Sequence, residues 1–218
     1  MNDYENPDFY SRKAKDEGYF ARSIYKLEEI DSRFSLIKKG MKIVDLGCAP
    51  GSWCQYLSNI VGDTGLVVGI DYKKILVTAP NIVIVHGNFL RDYNQAEIMT
   101  HGPFNGIVSD MAPDTTGDRL TDCFNSSDLV KDALRFSYDH LKKSGFFVAK
   151  IFQGGDEKAI FDEMKMAFKT VKWFKPKSCR KISFETFIIG MDFTGKPQLS
   201  EEAEDIMDVD NYSGDMPW

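Results

Sequence analysis

The sequence lacks an apolar run of the roughly 20 residues that a membrane-spanning helix requires. Its first residues are polar and acidic, unlike the basic and then apolar start of a secretory signal. Hydrophobic residues make up 43% of the chain and charged residues 28%, which is ordinary for a globular protein. From these absences we expect a cytoplasmic protein with no membrane association, and from its 218 residues one main domain.

Cysteine and histidine are also scarce. The four cysteines form no C-x-x-C pair, and the three histidines add no spacing that is typical of a zinc site. We therefore predict reduced, structural thiols and no bound metal. The cysteines are Cys48, Cys54, Cys123 and Cys179.

The chain carries no overall positive charge, since its net charge is −6, but the charge is unevenly placed. Residues 192–218 contain eight acids and one base (−7), so residues 1–191 together carry +1. Within them, residues 165–181 hold seven bases and no acid, and residues 11–42 hold nine bases and five acids. Such clusters are typical of a surface that follows a phosphate backbone, although a solvated helix face would also be partly basic.

One stretch combines a strand, a glycine loop and a helix. The apolar run 41–44 precedes Asp45, glycines follow at 47 and 51, and an amphipathic helical pattern covers 53–61. Glycine lets a ligand approach the backbone, and the helix N-terminus offers free N–H groups. The loop lacks the G-x-G-x-x-G pattern of dinucleotide sites. It therefore predicts an adenosine ligand without a pyrophosphate, such as S-adenosylmethionine.

Hydrophobic patterning predicts alternating strands and helices along the chain. Strands are expected at 41–44, 66–70, 82–85, 104–109, 145–152, 171–174 and 186–193, and helices at 20–34, 53–61, 92–100, 121–143 and 156–168. The alternation predicts an α/β fold, a doubly wound and mostly parallel sheet with ligands at the carboxyl ends of its strands. We divide the chain into an N-terminal arm or short helix (1–18), a main domain (19–195) and an acidic tail (196–218).

Lys150 is the residue that is hardest to explain as scaffolding. It lies among six apolar residues near the carboxyl end of a predicted strand, where an unpaired ammonium would be costly. Asp110, at the end of another predicted strand, is its natural partner. The two residues form either a plain buried ion pair or a lysine positioned to take or orient a hydroxyl proton.

Five other residues are candidates, and two of them have two interpretations. Asp71 follows Gly51 by twenty residues, a distance at which an acid commonly binds ribose hydroxyls. Trp53 is either a core residue or packs on a ligand ring. Asn88 offers a donor and an acceptor to an adenine edge, or it is a turn residue. Lys26 and Glu185 are unremarkable individually.

Four segments together resemble the FtsJ/RrmJ family of S-adenosylmethionine-dependent ribose 2′-O-methyltransferases. They are ARSIYKL (21–27), VDLGCAPGSW (44–53), SDMAP (109–113) and VAKIFQG (148–154). The resemblance covers about residues 19–193 and implies a Rossmann-like fold with a seven-stranded sheet of the methyltransferase type. It also implies a catalytic tetrad of Lys26, Asp110, Lys150 and Glu185.

The family's cofactor positions correspond to Gly51, Trp53, Asp71 and Asp110, and Asn88 stands where the family has an acid. The resemblance implies an RNA partner, with a uridine of large-subunit ribosomal RNA as the expected substrate and a monomeric enzyme. Methylation of transfer RNA or of a small molecule is the alternative. A nicotinamide-dependent oxidoreductase and a non-catalytic RNA-binding module are more distant alternatives, which the glycine spacing and Lys150 argue against.

Overall fold

The structure, a computed structural model, describes residues 8–180 and 182–197. Its centre is a seven-stranded sheet with the strand order β3-β2-β1-β4-β5-β7-β6. The strands are β1 (Lys42–Leu46), β2 (Leu66–Asp71), β3 (Ile82–His86), β4 (Phe104–Ser109), β5 (Leu141–Phe152), β6 (Phe168–Phe174) and β7 (Glu185–Phe193). The helices are α1 (Phe9–Asp16), α2 (Ile24–Phe34), α3 (Ser52–Val61), α4 (Asp92–Met99), α5 (Arg119–His140) and α6 (Glu157–Ala167).

Strands β1 to β5 run parallel to one another, and β7 is antiparallel to both β5 and β6. The predicted α/β, mostly parallel, seven-stranded fold is therefore confirmed. Ser109 pairs with Leu46 on one side and with Ala149 on the other, so the carboxyl ends of β1, β4 and β5 meet at one edge. Glu185 pairs with Phe152, which brings the start of β7 to the same edge.

The hydrophobic core has two layers, one on each face of the sheet. Ile98 of α4, Leu134 of α5 and Met164 of α6 are fully buried on one face, and Leu27 of α2 and Leu57 of α3 are fully buried on the other. Each such side chain contributes roughly 1.5–3 kcal/mol when it is removed from water. The two layers hold the sheet in position, and with it the strand ends near which Asp110 and Lys150 lie.

Several predicted boundaries were wrong. The helix expected from residue 20 begins at Ile24, because Phe20 is 42% exposed and its N–H donates to the Gln55 side chain. The helix expected to reach 143 ends at His140, and β5 begins at Leu141 rather than 145. Leu141 pairs with Phe104 before a register shift, which extends the strand. Similarly, α6 ends at Ala167 and β6 begins directly after it.

The predicted N-terminal arm contains one helix, α1. Within the predicted arm, α1 is capped by the Asp8 side chain, which accepts from the N–H of Ser11. The predicted acidic tail lies outside the described residues from 198 onward. Among the described residues, no helix is both long and apolar enough to cross a membrane, and no group of three or more His, Cys, Asp or Glu side chains is arranged to hold a metal ion.

Candidate active site

The structure brings Lys26, Asp110, Lys150 and Glu185 together. Lys150 Nζ lies 3.0 Å from Asp110 Oδ1 and donates to the Asp110 carbonyl at 2.5 Å. Lys26 Nζ lies 3.6 Å from the same Oδ1 and 3.0 Å from Glu185 Oε2. Asp110 thus faces both ammonium groups, and Glu185 faces Lys26.

Local structure explains this arrangement. Asp110 directly follows Ser109, and Lys150 directly follows Ala149. Because Ser109 and Ala149 pair, Asp110 and Lys150 lie side by side on neighbouring strands. Lys26 lies in the first turn of α2, which packs across the sheet, and its Nζ is 5.8 Å from the centre of the Phe187 ring. The cluster therefore requires one helix and three strands to be in register.

The four side chains are largely withdrawn from water, with exposed fractions between 8% and 17%. Burial by itself lowers the pKa of Lys26, but the negative charges of Asp110 and Glu185 outweigh it, and the net effect raises this pKa above its usual value. Burial would raise the pKa of Asp110, yet the Lys150 and Lys26 ammonium groups hold it below its usual value. Asp110 is therefore a carboxylate and Lys26 an ammonium at neutral pH.

A cavity of about 550 Å³ lies beside this cluster, at the carboxyl ends of β1 to β4. It is within the range of small-molecule sites, roughly 300–1,000 Å³. Asp110 belongs both to the cavity lining and to the four-residue cluster. Five carboxylates line the cavity, namely Asp71, Asp110, Asp114, Asp128 and Asp132, with Lys73 as the only basic residue among the lining residues.

The glycine loop is held close to its neighbours. Gly47 has φ +73°, and a Cβ there would lie 2.5 Å from Met111 Cγ. Gly51 has φ +119°, and a Cβ there would lie 2.6 Å from Val77. Only glycine fits such approaches. The Asp71 carboxylate completes the corner, since it accepts from the N–H groups of Ala49 at 3.0 Å and Lys73 at 2.8 Å.

Two predicted cofactor residues do not line the cavity. The Trp53 side chain is 2% exposed, and its indole N–H donates to the Ser23 carbonyl at 2.8 Å. Its ring packs against Phe187 in the core, so the core interpretation of this side chain is the one that the geometry favours. Gly51 is also absent from the lining, and its role is to admit the Val77 segment.

Asn88 lines the cavity, and it is also a turn residue. Its side-chain oxygen accepts from the N–H of Leu90 at 2.9 Å, and its backbone carbonyl accepts from the Asn94 amide at 2.7 Å. The turn interpretation of Asn88 is confirmed, and the side chain also faces the cavity in which an adenine contact is predicted. The side-chain oxygen already accepts a hydrogen bond within the turn, whereas the side-chain amide nitrogen takes no part in the turn.

The structure adds residues that sequence reasoning missed. Asp128 and Asp132 of α5 line the cavity, although nothing in a polar helix pattern marks them. Glu29 accepts from the N–H groups of Lys177 and Ser178, at 2.7 and 2.8 Å, and so ties the loop after β6 to α2. Beneath the glycine loop, burial raises the pKa of Asp45 to about 7. In the sequence, only the position of Asp45 between the apolar run and Gly47 indicates that this residue is special.

The basic surface is narrower than predicted. The six described bases of residues 165–181 are all exposed: Lys165, Lys169, Lys172, Lys175, Lys177 and Arg180. Lys181 lies outside the described residues. The sequence also predicts a basic flank of Arg22, Lys26 and Arg33 along the first helix. These residues do not form a continuous exposed row, because Lys26 is in the cluster and Arg22 pairs with Asp8 and the Ser178 carbonyl. Of that row, Arg33 is exposed.

Comparison with known proteins accounts for this combination of cavity and cluster. Residues 19–193 match the family model described as FtsJ-like methyltransferase. The chain belongs to the FtsJ-like methyltransferase family. The family resemblance inferred from the four motifs is confirmed, and so is its implication that this FtsJ-like protein is a methyltransferase that uses S-adenosylmethionine as methyl donor.

Curated relatives of this FtsJ-like chain share the name ribosomal RNA large subunit methyltransferase E. The protein from Oleidesulfovibrio alaskensis is 45% identical over 91% of this chain and 98% of its own length. The one from Treponema denticola is 40% identical over 89% and 98%. Among crystal structures, a protein described as a ribosomal RNA methyltransferase from Plasmodium falciparum has a TM-score of 0.71 at 28% identity, covering 82% of this chain and 100% of that one.

Proposed function

We propose that this protein methylates a ribose 2′-hydroxyl of large-subunit ribosomal RNA, with a uridine as the expected nucleotide. The observation that carries the proposal is the position of Asp110, which lines the cavity and also holds Lys150 at 3.0 Å. A group bound in the cavity and a hydroxyl beside Lys150 would therefore be neighbours. The alternative of a purely structural ion pair gives no reason for a buried charge cluster at a cavity, because such clusters stabilise a fold poorly.

The cavity suits S-adenosylmethionine better than a dinucleotide. Five carboxylates in its lining favour a ligand with positive charges and disfavour a pyrophosphate. Asp71, at the end of β2, and Asn88, after β3, both line the cavity; Asp71 would bind the ribose hydroxyls and Asn88 the adenine edge. The close approaches at Gly47 and Gly51 shape the loop against which such a ligand would lie.

The bound cofactor would supply a methyl group activated by its sulfonium. The chain's own residues then have to position the 2′-hydroxyl and manage its proton. Lys150 Nζ donates one hydrogen bond to the Asp110 carbonyl and faces the Asp110 carboxylate at 3.0 Å as an ion pair, so a further position of Nζ can face the hydroxyl. As an ammonium, Lys150 would orient the hydroxyl oxygen; as a neutral amine, with its own proton released to solvent, it would accept the hydroxyl proton. Asp110 would fix Lys150 in place.

The other two members of the cluster would position the ribose. Lys26 is held by Glu185 at 3.0 Å and by Asp110 at 3.6 Å, so its ammonium has a fixed direction. An ammonium fixed in this way would steady the negative charge that develops on the ribose oxygen. Glu185 would keep the charge of the cluster balanced.

Large-subunit ribosomal RNA is the substrate that we propose, because the curated relatives carry that substrate in their name and match nearly their whole length. The exposed bases of residues 165–181 supply a surface for phosphates. We further propose that the protein acts as a monomer in the cytoplasm, as expected from the sequence.

The test is transfer of a labelled methyl group from S-adenosylmethionine to purified ribosomal subunits and to transfer RNA. Subunits should come from cells that lack the corresponding modification. We expect label in large subunits alone. Label confined to transfer RNA would overturn the choice of substrate, and no label in any RNA would overturn the proposed reaction.

Asn88 allows a prediction about cofactor affinity. In Asn88→Asp, one carboxylate oxygen can keep the bond to the Leu90 N–H, and the second becomes an acceptor for the adenine amino group. We expect the Kd for S-adenosylmethionine to fall by roughly three- to tenfold, the effect of about one additional hydrogen bond. Calorimetry measures it. Asn125→Asp adds the same charge to the cavity lining from α5, and an equal gain there would refute the specific contact.

A further inference from the structure

A second cavity, of about 260 Å³, lies at the other end of the sheet. None of its lining residues belongs to the lining of the cofactor cavity. It is smaller than the roughly 300–1,000 Å³ of sites for drug-sized ligands, so a single ring system is the size of group that it suits. Its lining residues are Gln153, Glu157, Lys158, Phe161, Trp173 and Thr186.

One wall of this second cavity is aromatic. Phe161 of α6 and Trp173 of β6 stack with ring centres 5.3 Å apart and planes 15° apart. Trp173 nevertheless remains 38% exposed, so part of the residue is accessible to a ligand. Such rings stack readily on the bases of single-stranded nucleic acid.

Glu157, one of the lining residues, also carries a buried acceptor. Oε1 of Glu157 accepts from the N–H of Gly154 at 3.2 Å, but Oε2 is buried and has no hydrogen-bond partner among the described residues. A buried carboxylate oxygen requires a donor. A ligand that supplies both a flat ring and an N–H group in its plane would satisfy the wall and the acceptor together, and a nucleobase is such a ligand.

The cavity is close to the catalytic cluster. Thr186 directly follows Glu185 on β7, and successive strand residues point to opposite faces, so the cavity and the cluster lie on opposite faces at one end of this strand. Gln153 is three residues beyond Lys150, or about 10 Å at roughly 3.3 Å per strand residue. Exposed Lys169 and Lys172 lie on the same strand as Trp173.

We infer that the second cavity binds a nucleobase of the RNA substrate, from a nucleotide that neighbours the methylated one. The inference rests on the proposed function. RNA would pass around the edge of the sheet, with its methylated ribose at the cluster and a neighbouring base against Trp173. Glu157 would accept from the base, and the lysines of β6 would contact the adjoining phosphates.

The first test measures methylation of large ribosomal subunits by Trp173→Ala. We expect the KM for subunits to rise about tenfold, since one base–aromatic stack contributes roughly 1–3 kcal/mol. The kcat and the Kd of S-adenosylmethionine should not change. Trp173→Phe keeps an aromatic ring and should keep most of the affinity. Glu157→Gln, which retains an acceptor for Gly154, should raise KM about fivefold, as expected for one hydrogen bond.

Met166→Ala is the matched control. Met166 is 54% exposed on the same helix as Phe161 and is not part of the cavity lining. The KM of Met166→Ala for large subunits should therefore equal that of the wild type. An unchanged KM in both Trp173→Ala and Glu157→Gln would overturn the inference while methylation itself persists. Absence of methylation by the wild type would instead overturn the proposed function, so the two failures are distinguishable.

The second test is ultraviolet crosslinking of the enzyme to the same subunits. A nucleotide crosslinked to the peptide around Trp173 is the expected result. A ribosomal protein crosslinked to that peptide, with no nucleotide, would show that the aromatic wall contacts protein and would overturn the assignment of the cavity to a base.

Discussion

Lys150→Met is expected to lower kcat by about 10²- to 10⁴-fold, the usual contribution of a side chain that manages a proton in the transition state. Methionine keeps the length of the side chain in a strand that is otherwise apolar, and Asp110 still faces Lys26 at 3.6 Å. Lys150 is not part of the cofactor-cavity lining, so the Kd of S-adenosylmethionine should stay unchanged. Single-turnover methylation of large subunits measures the first quantity, and calorimetry measures the second.

Lys196→Met is the control for the loss of a paired lysine. Lys196 lies 3.6 Å from Asp139 and follows the end of β7 opposite to Glu185, so its removal should leave kcat unchanged. Wild-type turnover by Lys150→Met would refute the role assigned to Lys150. Lys150→Arg separates the two forms of that role, because arginine retains a donor but does not release its proton. Activity in Lys150→Arg would mean that Lys150 orients the hydroxyl and does not accept its proton.

Asp110→Asn is expected to weaken both the fold and the reaction. It removes the carboxylate that faces two lysines, and Lys150, which is 7% exposed, loses its charge partner. Breaking one side of a buried ion pair typically costs about 3–5 kcal/mol, so the free energy of unfolding should fall by about that amount. The kcat should fall as well, since Lys150 is no longer fixed. Urea unfolding and single-turnover kinetics provide the two readouts.

Asp156→Asn tests the same change at an exposed pair and should cost at most about 1 kcal/mol. The double variant Lys150→Met with Asp110→Asn separates stability from catalysis. With the ammonium of Lys150 also gone, much of the lost stability should return, because no unpaired charge remains at that position. Activity should not return. Recovery of both would contradict a catalytic role for the pair.

The proximity of Asp110 and Lys150 could be predicted from the sequence because it depends only on a general property of parallel sheets. Each residue lies near the carboxyl end of an apolar run, and such ends meet at one edge. The glycine loop was predictable for a similar reason, since glycine spacing reflects local backbone needs at Gly47 and Gly51.

The remaining features depend on tertiary packing that no local pattern encodes. The contact of Lys26 with Glu185 needs α2 to cross the sheet, and only the family resemblance indicated it. Trp53 has an ambiguous helical spacing, and the packing of its ring on Phe187 decided its orientation. The bonds from Glu29 to the loop after β6 join residues almost 150 positions apart, which hydrophobic periodicity does not predict.

Nucleoside mass spectrometry shows directly whether the methyl group is placed on a ribose 2′ oxygen. Large ribosomal subunits would be incubated with the wild-type protein and labelled S-adenosylmethionine, and their RNA digested to nucleosides. We expect one labelled nucleoside, a 2′-O-methyluridine, that is absent when Lys150→Met is used. Label on a base, with none on ribose, would refute methylation of the 2′ oxygen.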